Sequence, residues 1–321
     1  MRARDARAEA QQVLGDEFEA RVLEPSPPAV QDGAWFADDP VSLGARAPGR
    51  PVVSPVANAD LTWDQWLSTR PSRASWAADR WLGARRRLPA APAALVETRL
   101  TLHRLAVYVL SPARRRANGK IALRWTMRGF GTPFFGSDEQ IRVQGAELVR
   151  QTGDRASGEP ITSVARAARF VLDGEPDVAG AEGFDVPPLG DPDEQLAVDP
   201  EAAAFLGDWY GFAWSVLEEL RAQPQSSDPS RVQLWPEHFD AAFDCLAPEV
   251  RATFGASPGD AAVSEPYLYV LSVALEEGLS ELWNSTVFRG AILRFGELVD
   301  APDQRRAALD FFTIRRAALV A

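Results

Sequence analysis

Ile121-Ala-Leu-Arg-Trp-Thr-Met-Arg128 alternates, with Ile121, Leu123, Trp125 and Met127 on one side and Ala122, Arg124, Thr126 and Arg128 on the other. Period two describes a strand with one buried and one wet face. On its N-terminal side, Asn118-Gly119 is the pair that accepts positive φ at both centres of a two-residue turn, so a hairpin is expected there. Its preceding strand would come from Leu100, Leu102 and the run Leu105-Ala-Val-Tyr-Val-Leu110. On the C-terminal side, the glycine-rich stretch Gly129–Gly136 reads as a loop. Gln140–Val143 and Glu147–Gln151 then form a second hairpin about Gly145. Neighbouring strands joined by tight turns make the sheet antiparallel.

Thr162–Leu172 reads as a short helix covering that sheet. Asp199-Pro200 opens another, with Asp at the N-cap and Pro at the first helical position. Phe205, Trp209, Phe212, Val216 and Leu220 follow it at helical spacing. Val232–Trp235, Phe239–Leu246, Val250–Phe254 and Tyr267–Val270 read as short strands. Two helices, Ser280 to Val299 and Pro302 to Leu319, close the chain. The fold class is therefore α+β: mainly antiparallel sheet, covering helices and a helical C-terminus. Residues 1–60 read as a flexible Pro-rich arm, and 61–172 as an α+β region with the antiparallel sheet. That region opens on the capping-box spacing Thr62–Gln65 and an aromatic layer of Trp63, Trp66, Trp76 and Trp81. Residues 173–198 read as an acidic linker, and 199–321 as a second α+β region ending in helices.

Composition removes whole classes of chemistry. The chain has 321 residues, is 46% hydrophobic and carries a net charge of −11, which describes a folded globular protein. No apolar run approaches the roughly 20 residues of a membrane-spanning helix, and Met1–Ala10 lacks the apolar stretch of a secretory signal. One cysteine, Cys245, makes no internal disulfide, which fits a reducing cytoplasm. His103, His238 and Cys245 are one ligand short of a four-ligand zinc site of Cys and His. No cofactor is expected. Lys120 is the only lysine among 34 basic residues, a bias that runs through every segment and points to a GC-rich genome.

Charge is segregated. Residues 65–128 hold fourteen Arg or Lys against Asp79 and Glu97, whereas 170–208 hold eleven Asp or Glu and no Arg or Lys. A basic block with aromatic residues nearby is a nucleic-acid face in one reading. The net charge of −11 disfavours it, because the acidic segment can dock on the basic one within the chain.

Two motifs invite chemistry. Gly255-Ala-Ser257-Pro-Gly259 has the form of a nucleophile elbow, but the residue after the serine is Pro258, which has no N–H for an oxyanion hole. Both histidines also precede Ser257, and Pro258-Gly259 matches the centre of a type II turn. Leu234-Trp-Pro-Glu237-His238-Phe-Asp240 gathers an imidazole, two carboxylates and an indole. In an extended stretch, Asp240 shares a face with His238 and is its natural partner for orienting the ring and raising its pKa. His103, placed in the first sheet, has no such company and reads as structural.

Three stretches together carry a resemblance: Val109-Leu-Ser-Pro-Ala-Arg114 through Gly129-Phe-Gly-Thr-Pro133; Gln233-Leu-Trp-Pro-Glu-His-Phe-Asp240; and Phe254-Gly-Ala-Ser-Pro-Gly-Asp260 with Glu265-Pro-Tyr-Leu-Tyr-Val270. Over about residues 60–320 the chain resembles a group of hypothetical proteins of high-GC Gram-positive bacteria with no assigned activity. The resemblance implies a bacterial, cytoplasmic protein and transfers no catalytic residue. The expectation is a small-molecule-binding protein, or an enzyme using His238, with a pocket lined by Trp235, His238, Asp240 and Tyr267. A scaffold that binds partners through exposed aromatics and opposed charge faces is the alternative. Substrate, partner and oligomeric state stay open.

Overall fold

The structure is a computed structural model that describes residues 87–126, 129–133, 139–152, 155–184, 186–275 and 280–320. The N-terminal arm, the capping box at Thr62, the four-tryptophan cluster and the first part of the basic block lie outside the described residues. Helices and two antiparallel sheets make the fold α+β, as expected. The described chain divides into two compact units, one of 91–210 with 234–239, the other of 87–90, 211–233 and 240–320. The division in the helical region falls after Tyr210, not in the acidic segment.

The first unit opens with a helix where strands were expected. Helix α1 (Leu95–Leu105) passes through one π turn (Ala106–Leu110) into α2 (Ser111–Asn118). The reading failed because Leu105–Leu110 is apolar throughout, and such a run does not distinguish strand from buried helix by period. All six of those residues are buried. Asn118-Gly119 ends the helix rather than turning a hairpin: Gly119 sits at φ 79° and its N–H donates to the Arg115 carbonyl at 2.8 Å. The left-handed conformation that suits a hairpin turn also suits a helix C-terminus.

The sheet that follows has the order β1 (Arg124–Thr126), β2 (Gly129–Gly131), β3 (Glu139–Gln144), β4 (Glu147–Thr152) and β5 (Arg155–Pro160). The β3–β4 hairpin turns at Gly145 (φ 61°), as its pattern predicts. Residues 129–131, expected in a loop, are a strand instead. Their glycines admit the neighbouring backbone: a Cβ on Gly129 would lie 2.0 Å from the Val143 carbonyl oxygen, and one on Gly131 2.4 Å from that of Ile141. β5, with its Arg-Ala-Ser-Gly-Glu-Pro sequence, carries no apolar signal and was missed. Helix α3 (Val164–Leu172) is N-capped by Ser163, whose Oγ accepts from the Arg166 N–H. The acidic stretch then packs on the same unit, where Arg115 and Arg116 converge on Asp177 (2.7 and 3.8 Å) and Arg104 pairs with Glu194 (3.7 Å). Asp177 is held below the usual carboxylate range; its burial opposes this, and the Arg115 and Arg116 guanidiniums outweigh it. Part of the basic block is thus neutralised within its own unit.

Helix α4 (Pro200–Ala222) starts at the expected cap, with the Ala202 N–H donating to Asp199 Oδ1 at 2.8 Å. Its residues to Tyr210 belong to the first unit and the rest to the second. Strand β6 (Gln233–Trp235) bridges Leu123 through Leu234.

In the second unit, β7 (Asp240–Cys245), β8 (Ala252–Ser257), β9 (Tyr267–Ser272) and β10 (Gly290–Arg294) pair antiparallel in chain order. One sheet face is apolar, with Phe243 stacked on Phe254 and Phe254 edge-on to Phe312 of α6 (Gln304–Leu319). The helix expected at 280–299 is replaced by β10 and a short α5 (Phe295–Val299). Gly290 and the Asn284 side chain explain it. Gly290 lies where a Cβ would meet the Val270 carbonyl oxygen at 2.0 Å, and the Asn284 amide bonds both the N–H and the C=O of Ile292. Among the described residues no helix is long and apolar enough to cross a membrane.

Two glycines separate backbone strain from steric exclusion. Nothing lies within 4 Å of a Cβ on Gly119, so Gly119→Ala is expected to cost about 1 kcal/mol for its left-handed conformation. Gly131→Ala, opposed by a carbonyl oxygen, is expected to cost on the order of 3 kcal/mol. Urea unfolding of the two variants checks the order.

Candidate functional site

Trp235-Pro-Glu-His-Phe239 is not extended. The Phe239 N–H donates to the Trp235 carbonyl at 2.7 Å, closing a five-residue turn, and Phe239 sits at φ 54°. A left-handed backbone at a bulky aromatic residue is costly and persists only where its surroundings impose it. Here they do. The Tyr210 hydroxyl donates to the Phe239 carbonyl at 2.7 Å. The Phe239 ring is stacked on His103 (4.9 Å, 8°) and met edge-on by Phe130 (5.0 Å) and Tyr210 (5.6 Å). His103 Nε2 lies 2.8 Å from the Pro236 carbonyl, and because a carbonyl only accepts, that nitrogen carries the proton.

His103 therefore lies on α1, not in a sheet, three residues before the π turn. Such turns are frequent at functional sites. This one is tied to the acidic segment: the Tyr108 carbonyl accepts the Asp177 N–H at 3.1 Å, and the Tyr108 hydroxyl donates to the Pro187 carbonyl at 2.8 Å. Burial pushes His103 down to about 4, opposed by its bond to Pro236 and reinforced by Arg99 nearby. It is neutral at pH 7.

On this turn, hydrogen-bond accounting points to one side-chain acceptor. The carbonyls of Trp235, Pro236 and Phe239 are all engaged, by Phe239, His103 and Tyr210 respectively. Glu237 is half-buried, and its Oε2 is buried yet accepts no hydrogen bond among the described residues. Buried polar atoms without a partner are rare enough that each calls for an explanation.

The four sequence-predicted residues divide between the units. Trp235, half-buried, and His238, exposed, sit on this turn; Asp240 and Tyr267, both buried, belong to the second unit. The alternation that paired His238 with Asp240 is broken by the left-handed Phe239. The Asp240 carboxylate instead accepts the Tyr269 hydroxyl. Tyr269 crosses β8 at Gly255, where a Cβ would lie 2.4 Å from its ring. Tyr267 donates to Asp260 at 2.5 Å. Burial and the facing carboxylates push both phenols up, so at neutral pH they are hydrogen-bond donors and not phenolates. Both are already donating to a carboxylate, which gives this second cluster the character of a structural network.

Ser257 ends β8 in a turn: its Oγ accepts the Gly259 N–H at 3.1 Å, and Gly259 has φ 100°. The turn reading of that motif stands. Burial pushes the Cys245 thiol up to about 11, which makes it unreactive. Among the described residues no group of three His, Cys, Asp or Glu could hold a metal ion. His103, Tyr210 and Phe130 escaped the sequence reading as site residues, since only the folded chain brings them to the turn. Comparison with protein-family models, with curated proteins and with solved structures gives no match.

Two predictions follow from the clamp on the turn. His103 has a folded-state pKa below its unfolded value of 6.5, so its contribution is complete above that value and is lost as pH falls toward about 4. The loss amounts to up to about 3 kcal/mol, and His103→Gln, which keeps a donor for Pro236, should remove that part of the acid slope in chemical unfolding. Tyr210→Phe, which leaves the Phe239 carbonyl without its donor, should cost about 1–2 kcal/mol in the same assay.

Proposed function

We propose that the protein binds a small molecule at the Trp235–Phe239 turn, against the His103 face of α1. The observation that carries this reading is Glu237 Oε2, a buried acceptor with no hydrogen-bond partner among the described residues, on a turn three of whose carbonyls are engaged. Strain held at Phe239 by Tyr210 and His103 supports it, because left-handed backbone at bulky residues clusters at ligand clamps. The ligand completes the hydrogen bonding of Glu237, and the neutral His103 orients the turn without being consumed. The setting proposed for it is the cytoplasm of a bacterium. Its single cysteine, buried and unreactive, is compatible with that setting.

Native mass spectrometry of the full chain, purified without denaturation from its own host, tests the site. The wild type is expected to carry a noncovalent adduct of fixed mass, and Glu237→Gln to lose it with an unchanged circular dichroism spectrum. A variant that keeps the adduct moves the site elsewhere, and a wild type free of any adduct counts against binding.

A further inference from the structure

We infer that the ligand of this turn is an organic cation that presents an ammonium or guanidinium group to Glu237 Oε2. The inference rests on the site proposed above and concerns the charge of its ligand. A carboxylate oxygen removed from water needs both hydrogen-bond donors and a compensating positive charge. Glu237 has neither among the described residues: Oε2 accepts no hydrogen bond, and the carboxylate enters no ion pair.

The basic residues of α1 and of the turn are engaged, uncharged or exposed, Arg104 pairing with Glu194 at 3.7 Å. Arg99, one helical turn before His103 on α1, is buried and has an interaction of its own. His103 is neutral, and its Nε2 proton goes to the Pro236 carbonyl. His238, next in the chain, is exposed. Of the turn's own donors, the Phe239 N–H is given to the Trp235 carbonyl. A neutral N–H ligand would satisfy the acceptor and leave the charge uncompensated. An anion would add a second charge of the same sign.

The test uses the full chain with n-butylammonium and agmatine as cationic probes, butyramide as a neutral N–H donor of similar size and butyrate as an anion. Saturation-transfer NMR and thermal shift read binding. Both cations are expected to bind while butyramide and butyrate do not, and Glu237→Gln should weaken the cations about thirtyfold or more. Without ligand, Glu237→Gln should unfold at the same or a higher temperature, because no described residue donates to Oε2 and no internal hydrogen bond is lost. Butyramide binding as tightly as butylammonium would overturn the cation and leave the site standing. Cation binding that survives Glu237→Gln would overturn it, as would failure of both cations to bind. A marked drop in the variant's melting temperature would place the compensating charge inside the chain and also overturn it. The fate of the site itself is read separately, from the copurified adduct and its loss.

Discussion

A phenylalanine held at φ 54° is the constraint on which the site of the first unit depends. Left to its own preference, Phe239 would adopt an extended or right-handed backbone, and the chain from Trp235 would run on as a strand. The Tyr210 hydroxyl on its carbonyl and the rings of His103, Phe130 and Tyr210 around its side chain keep it where it is. The left-handed residue turns the chain and commits its backbone acceptors. It leaves Glu237 half-buried, with an oxygen that accepts no hydrogen bond among the described residues.

The two polar clusters differ in what meets their carboxylates. In the second unit, Tyr267 and Tyr269 each donate a hydrogen bond to a carboxylate, and burial keeps both phenols protonated. Such pairs fix side chains and hold the polar face of a sheet in one arrangement. On the turn of the first unit three backbone carbonyls are engaged, while Glu237 Oε2 accepts no hydrogen bond among the described residues. A carboxylate that already holds a phenol, as Asp240 and Asp260 do, reads as structural, whereas Glu237 Oε2 holds no donor among the described residues.

The legible parts of the fold were those where a local signal had one meaning. The β3–β4 hairpin about Gly145, the Asp199 cap of α4 and the Ser257-Pro-Gly259 turn all came from residues whose preferred backbone matches the observed one. Ambiguous signals failed. Asn118-Gly119 serves a hairpin or a helix end, and Leu105–Leu110 serves a strand or a buried helix. Gly129 and Gly131 read as loop because their role is to admit the backbone of β3, a partner that local sequence does not reveal.

The site was half legible for the same reason. The stretch 234–240 was marked by its composition, but its extended reading paired His238 with Asp240, and one left-handed residue undid that register. His103 was set aside because its company, Phe239 and Pro236, lies over 130 residues away. The most direct measurement of the central claim is a high-resolution crystal structure of protein never unfolded during purification. The account predicts electron density for a bound molecule within hydrogen-bond distance of Glu237 Oε2, with Phe239 left-handed beside it. A protein donor on that oxygen, or Phe239 in an ordinary extended conformation, would contradict it.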